Sequence, residues 1–168
     1  MDMNIENKTF GELLKASMKS DDTEEWIDVY FTRPVGLAFA LLWHRLGVTP
    51  NTITLLSIAL GVAAGAMFYF QNLCYNIIGV VLLVLANLCD STDGQLARLT
   101  NQRSMKGRCL DGFAGDTWFF VIYLAISLRL WHQTMPGTTE VWGPFGLALA
   151  AIAGFVCHAQ QSSLADYY

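Results

Sequence analysis

Four aspartates lie where an acidic side chain is costly, and their spacing could hold a metal ion. Asp90 and Asp93 end a long apolar stretch, and Asp111 and Asp116 open another one. Ionisable groups in or beside membrane-spanning segments are rare and usually functional. Asp90 and Asp93 are three residues apart, so both carboxylates project from one face of a helix. The competing interpretation is that any single one of these aspartates only caps a helix end.

The chemistry of this acidic group follows from its ligand atoms. A short link between two antiparallel helices would bring Asp111 opposite the pair formed by Asp90 and Asp93. Carboxylates that converge in this way repel one another unless a cation lies between them. Oxygen ligands without histidine or cysteine favour magnesium, manganese or calcium. We therefore predict a divalent metal site with the ligands Asp90, Asp93, Asp111 and Asp116.

The residues beside the acids indicate what such a site would bind. Gly94 and Ala97 leave the adjacent helix surface nearly bare, which lets a bulky ligand approach the backbone. The planar guanidinium of Arg98 is suited to phosphate. Metal-binding carboxylates, a cleared helix face and a phosphate-pairing arginine together predict a pyrophosphate site. Taken alone, Arg98 could equally be a basic membrane anchor, and Gly107 a residue at a helix entry.

The elements that must position these residues are membrane-spanning helices. The chain is 54% hydrophobic and 14% charged, whereas about a quarter of the residues are charged in a soluble domain. No Asp, Glu, Lys or Arg occurs at 46–89 or at 141–165, and a span needs about 20 apolar residues. We predict an all-α, polytopic transmembrane helix bundle with four visible spans, at 52–70, 75–89 (its helix continuing to 99), 107–131 and 141–160.

Two further parts of the chain have distinct patterns. Residues 1–33 form a polar N-terminal segment with two stripes of apolar residues at helical spacing: Phe10, Leu13, Leu14 and Met18, then Trp26, Val29 and Tyr30. They predict amphipathic juxtamembrane helices that lie on the membrane surface or dock on other parts of the protein. Residues 35–46 predict a short entry helix that ends at Gly47. In the first span, Ser57, Gly61 and Gly65 fall on one face and permit close helix contact, through which we also expect a homodimer.

The basic residues predict the orientation. They crowd the loop 98–108 and precede the first span, at Lys8, Lys15, Lys19, Arg33, Arg45, Arg98, Arg103, Lys106 and Arg108. The loops on the opposite side contain no Lys or Arg. By the positive-inside rule, the N-terminus and the loop 98–108 are cytoplasmic, and the acidic site lies on the same side.

One long gapped motif resembles that of a known family. The residues concerned are Asp90, Asp93, Gly94, Ala97, Arg98, Gly107 and Asp111. Their spacing is similar to the CDP-alcohol phosphotransferase (phosphatidyltransferase) pattern D-x2-D-G-x2-A-R-x8-G-x3-D-x3-D, of whose eight fixed positions seven are matched. The turn from Pro50 to Thr54 also resembles the family. The last aspartate departs from the pattern, because Gly115 occupies its place and Asp116 follows one residue later.

The resemblance implies a fold and a reaction. Members of the family have six spans, so residues 34–168 are expected to be a family membrane domain that is incomplete at the C-terminus. A CDP-linked donor such as CDP-diacylglycerol would bind through Asp90, Gly94, Ala97, Arg98 and Gly107, with two Mg²⁺ or Mn²⁺ ions on the four acids. An alcohol acceptor would take the phosphate-linked group, and CMP would leave. Asp116 and Asp111 are the expected catalytic residues, with Asp116 as the base or, alternatively, as a further metal ligand or a helix-start residue.

Two other functions fit part of the pattern. An aspartate-rich membrane prenyltransferase also binds a pyrophosphate through metal, but it does not require Gly94, Ala97 and Arg98 at these spacings. A divalent-cation transporter would place its acids near the middle of the bilayer, whereas these acids lie at the ends of spans. The expected partners are the CDP-linked donor, a small alcohol and membrane lipid, with no nucleic acid.

Overall fold

Helices account for most of the chain that the structure describes. The computed structural model describes residues 9–17, 30, 32–102 and 104–158, with the backbone alone at 157 and 158. Over these ranges there is no strand, only an isolated antiparallel bridge between Thr134 and Val141. The α-helices are α1 (Phe10–Ser17), α2 (Arg33–Arg45), α3 (Pro50–Met67), α4 (Leu73–Leu99), α5 (Met105–Leu130) and α6 (Gly143–Ile152), and a π-helix (Ala153–His158) follows α6.

Three of these helices are long and apolar enough to cross a membrane. They are α3 with 18 residues, α4 with 27 and α5 with 26. The predicted all-α membrane fold is therefore confirmed, and the chain is an integral membrane protein. At the fourth predicted span, the apolar helix covers Gly143–Val156 within the described ranges, and the predicted end at 160 lies outside them. The helix starts at Gly143 because residues 131–143 first fold back on themselves, with the amide of Trp142 donating to the carbonyl of Gln133 at 2.9 Å.

Proline and glycine determine where the helices begin and end. α3 starts at Pro50, whose missing N–H and fixed φ suit the first turn of a helix. α2 has Pro34 in its first turn and is followed by Gly47 with φ +69°. There the amide of Val48 donates to the carbonyl of Trp43 at 3.0 Å, which closes the helix end in the way that favours glycine. The predicted end of the entry helix at Gly47 is confirmed.

The chain divides into two compact units, Met1–Ser57 with Leu85–Ala114, and Ile58–Val84 with Gly115–Tyr168. The first unit contains α1, α2, the start of α3, the end of α4 and the start of α5. Its apolar core consists of six buried side chains, Leu13, Leu37, Ala40, Ile53, Leu96 and Leu99. This core joins α1, α2, α3 and α4, so it holds the end of α4 that carries Asp90 and Asp93.

The second unit packs through small residues. A Cβ at Gly61 would lie 2.1 Å from Cδ1 of Trp118, and one at Gly65 would lie 2.8 Å from Cγ1 of Val121. These glycines therefore let α5 lie directly against the backbone of α3, as the small-residue face predicted. Because α5 of the same chain already covers Gly61 and Gly65, a homodimer would have to use a different surface.

The N-terminal helix is docked on protein. α1 begins with half of a capping box, in which Oε2 of Glu12 accepts from the backbone amide of Thr9 at 2.9 Å and from its hydroxyl at 3.0 Å. Leu13 is 4% exposed and belongs to the core of the first unit, whereas Phe10 is 46% exposed. The docked interpretation therefore holds for α1. The predicted stripe of Trp26 and Val29 lies outside the described residues, as does Met18.

Candidate active site

Two helices of the first unit bring three of the predicted acids together. Asp90 and Asp93 lie one turn apart near the end of α4, and Asp111 lies in the second turn of α5. One carboxylate oxygen from each residue lies within 4.8 Å of the other two. The connection between the helices is only five residues long, from Thr100 to Ser104, so it holds the two helix ends close together.

The environment of these three carboxylates fits a divalent cation. Asp93 is 4% exposed, Asp90 is half-buried and Asp111 is exposed. Oδ1 of Asp90 is buried without a hydrogen-bond partner among the described residues, and a buried polar atom normally has one. Three hard oxygen ligands at this separation match the preference of Mg²⁺ or Mn²⁺. Asp90, Asp93 and Asp111 are therefore the residues that could hold a metal ion here.

α3 contributes a residue whose role the sequence pattern did not identify. The hydroxyl of Thr54, 3% exposed, donates to Oδ2 of Asp93. Ser57, fully buried, anchors the same turn by donating to the carbonyl of Thr54 at 2.7 Å. The bond from Thr54 fixes one oxygen of the most buried carboxylate and so orients the other. Thr54 belongs to the turn noted for its resemblance to the family, but one threonine in an apolar helix has no spacing that reveals such a contact.

A cavity of about 260 Å³ opens beside the acids. Four predicted site residues line it, namely Asp90, Gly94, Arg98 and Asp111. Four other residues that line it were not predicted, namely Thr32, Arg33, Asn87 and Ser91. Thr32 and Arg33 come from the start of α2, so the cavity wall includes residues from well before the first span. Two arginines and two aspartates on one small cavity suit a ligand that carries both phosphate groups and a metal ion.

Gly94 and Arg98 are neighbours on this wall. A Cβ at Gly94 would lie 3.3 Å from Nη2 of Arg98, and among the described residues that guanidinium is the one side-chain group beyond its chain neighbours that it would meet within 4 Å. Nη1 of the same guanidinium donates to the carbonyl of Ser17 at the end of α1. Gly94 thus leaves room for the arginine as well as for a ligand, whereas the sequence predicted only the room for a ligand.

Two predicted binding residues lie apart from the cavity lining. The amide of Gly107 donates to Oγ of Ser104 at 2.9 Å. A Cβ at Gly107 would lie 3.3 Å from Oδ1 of Asn51, so this glycine marks a close approach between the starts of α5 and α3. Ala97 is half-buried on α4. The substrate-binding roles of Gly107 and Ala97 stay predictions.

Asp116 is not part of the three-acid group. It is exposed, and α5 is an unbroken α-helix from Met105 to Leu130, without the bulge that could have re-aimed this side chain. On a regular helix a step of five residues turns the side chain by about 140° relative to Asp111. Its roles as catalytic base and as fourth metal ligand stay predictions.

The variant Asp116→Ala separates these two roles. We expect its affinity for a Mg²⁺-loaded CDP ligand to stay within about twofold of the wild type if the three converging acids alone hold the metal. A group that acts only in the transition state would lower kcat with little effect on that affinity. Calorimetric binding and steady-state rates on the same preparation measure both quantities. A large loss of metal-dependent binding would show that Asp116 is a ligand after all.

Comparison with known proteins adds the family. The profile of the CDP-alcohol phosphatidyltransferase family matches residues 47–165. The chain is 36% identical over 66 residues to the archaetidylinositol phosphate synthase of Pyrococcus horikoshii, covering 39% of this chain and 34% of that protein. It is 38% identical over 82 residues to the phosphatidylinositol phosphate synthase of Streptomyces avermitilis, covering 49% of this chain and 32% of that protein. The matched segments thus span about a third of each relative. With the family profile covering most of its length, and its motif acids converging beside a cavity, this chain belongs to the CDP-alcohol phosphatidyltransferase family.

Proposed function

We propose that the chain is a membrane enzyme of phospholipid synthesis that transfers a phosphatidyl or phospho-alcohol group from a CDP-linked donor to an alcohol and releases CMP. The observation that carries the proposal is the convergence of Asp90, Asp93 and Asp111 beside a cavity that Arg98 also lines. A pyrophosphate needs both a metal-binding group and donors for its oxygens. Membership of the family supports the same reaction.

The residues of the chain divide the work of this reaction. Asp90, Asp93 and Asp111 would hold Mg²⁺ or Mn²⁺, which neutralises phosphate charge and stabilises the leaving CMP. Thr54 keeps Asp93 oriented, and Arg98 pairs with a phosphate group. The acceptor oxygen bonds to the phosphorus that carries the lipid, and the bond from that phosphorus to the CMP oxygen breaks. The hydroxyl proton passes to a carboxylate, for which Asp116 and Asp111 are the candidates.

The acceptor is an alcohol whose identity the relatives help to narrow. Both relatives are named as synthases of inositol phosphate lipids. Inositol phosphate is therefore the first acceptor to test, followed by glycerol phosphate, inositol and serine.

The direct test is CMP release. The purified chain is reconstituted into lipid membranes and supplied with CDP-diacylglycerol, Mg²⁺ and each acceptor in turn. The amounts of CMP and of the lipid product are then measured. We expect stoichiometric CMP and phospholipid that depend on both the metal and the acceptor. A metal-dependent cation flux without CMP release would instead support a transporter, and transfer from a prenyl pyrophosphate would support a prenyltransferase.

The proposed orientation has the N-terminus and the loop 98–108 in the cytoplasm, so that CMP is released to the cytoplasmic nucleotide pool. Cys74 and Gln102 are both exposed and lie at opposite ends of α4, which makes them a matched pair. In a background without the other cysteines, Cys74 should react with an impermeant thiol reagent in intact cells. Gln102→Cys, with Cys74 also replaced, should react only after lysis. The reverse labelling pattern would invert the topology.

A further inference from the structure

Arg98 is bonded to a helix far from it in sequence. Its Nη1 donates to the carbonyl of Ser17, 81 residues earlier, and Ser17 is fully buried as the last residue of α1. Carbonyl groups in the last turn of a helix have no partner within that helix. They also carry the negative end of the helix dipole, which attracts a cation. A guanidinium is therefore a fitting partner for the end of α1.

α1 is held firmly enough to fix the position of this carbonyl. The hydrogen bonds from Thr9 to Oε2 of Glu12 stabilise the start of the helix, and Leu13 fills a place in the core of the first unit. That core also contains Leu96 and Leu99, which flank Arg98 on α4. The docking of α1 and the position of Arg98 thus depend on the same packed cluster.

The guanidinium is held at Ser17 and lies beside Gly94, where the missing side chain leaves room for it. Nη1 is held by Ser17, while Nη2 lies 3.3 Å from the place that a Cβ of Gly94 would take. Gly94 and Arg98 both line the cavity beside the acids. A planar guanidinium that is held before its ligand arrives loses less conformational entropy on binding than a mobile one.

We propose that α1 is a positioning element of the binding site, whose C-terminal carbonyl at Ser17 holds Arg98 over Gly94 to pair with a phosphate group of the ligand. This inference rests on the proposed function, because it assigns Arg98 a pyrophosphate ligand. It also gives the N-terminal segment, which lies before the family match at residues 47–165, a part in binding. Leu13 and Ser17 are positioning residues, since they act through Arg98.

A purely structural role for α1 makes a different prediction. If α1 only stabilises the fold, undocking α1 and replacing the guanidinium of Arg98 change ligand affinity independently. The two fold-changes in affinity then multiply in the double variant. If α1 acts through Arg98, undocking α1 lowers affinity little further once the guanidinium of Arg98 has been replaced. A double-mutant cycle separates the two cases.

The cycle uses CDP with Mg²⁺ as the ligand and isothermal titration calorimetry on the whole chain in detergent micelles. Leu13→Ala weakens the docking of α1, and Arg98→Lys removes the planar fork while keeping the charge. We expect CDP affinity to fall by about fivefold and about tenfold respectively, in the range of one charge-assisted hydrogen bond. The double variant should bind within about twofold of Arg98→Lys alone. Lys15→Ala, on the exposed side of α1, should bind like the wild type.

Other results overturn the inference. A double variant whose affinity falls by the product of the two single effects assigns α1 a structural role only. So does a Leu13→Ala protein that binds CDP like the wild type while its α1 is cleaved readily at Lys15 by trypsin. If trypsin does not cleave Lys15 in Leu13→Ala, α1 is still docked in that variant. Leu13→Asp then replaces it in the experiment, because a carboxylate cannot remain in the apolar cluster. Wild-type CDP affinity in Leu13→Asp, or multiplied effects in its double variant with Arg98→Lys, would overturn the inference. Failure of the wild type to bind CDP would reject the proposed function itself and the inference with it.

Discussion

Asp93→Asn should lower the rate of CMP release by about 10³-fold or more, because a catalytic metal contributes several kcal/mol of charge stabilisation. The amide has the same shape as the carboxylate but carries no charge to hold the ion. Asp93 is the most buried acid of the three and lies within 4.8 Å of both others. Its amide could still accept the hydrogen bond of Thr54, so the fold should persist. Initial rates over a range of Mg²⁺ concentrations measure the effect.

The control for Asp93→Asn is the same chemical change at an acid outside the site. Glu140 is exposed in the loop before α6, and Glu140→Gln should retain wild-type activity. Both variants should elute as the wild type does in size-exclusion chromatography. Activity above about a tenth of the wild type, with unchanged Mg²⁺ dependence, would contradict the assignment of Asp93 as a metal ligand.

Gly61→Ala should have the largest effect on stability. Its new Cβ would lie 2.1 Å from Cδ1 and 2.4 Å from Nε1 of Trp118, far closer than atoms can approach. Trp118 is 5% exposed, so its indole has little room to move without separating α5 from α3. Overpacking of this kind costs about 1–3 kcal/mol and sometimes more. We expect the midpoint of thermal unfolding in detergent to fall by about 5 °C or more.

Gly115→Ala is the matched control, because a Cβ at Gly115 meets nothing within 4 Å. Alanine is the better helix former by about 1 kcal/mol, so this variant should be as stable as the wild type or slightly more stable. Equal unfolding midpoints for Gly61→Ala and Gly115→Ala would show that Trp118 does not pack on Gly61 as described.

The spans were predictable because the bilayer imposes a length on the sequence. The apolar pattern predicted the bounds of α3 and α4 within three residues, and those of α5 within two. Proline at the start of α3 and Gly47 after α2 marked helix ends through backbone constraints that act locally. The start of α6 was also predicted within two residues, but the fold-back of residues 131–143 before it was not, because it depends on backbone hydrogen bonds that hydropathy does not encode.

The site was predictable where its residues share one helix and less so where they meet through space. Helical periodicity placed Asp90 beside Asp93, and the short link placed Asp111 opposite them. The contact of Thr54 with Asp93 joins residues 39 apart, and the contact of Arg98 with Ser17 joins residues 81 apart. No local sequence pattern indicates either of these two contacts. The pattern at 9–12, Thr-Phe-Gly-Glu, could have revealed the start of α1, but not the surface on which it docks.

Binding of Mn²⁺ to the purified chain, followed by electron paramagnetic resonance, tests the acidic site most directly. We expect saturable Mn²⁺ binding that tightens when CDP is present, because the phosphates of CDP supply further oxygens to the ion. The triple variant Asp90→Asn, Asp93→Asn, Asp111→Asn should lose this binding, while Glu140→Gln keeps it. Unchanged, saturable Mn²⁺ binding by the folded triple variant would contradict the claim that these three carboxylates form the metal site.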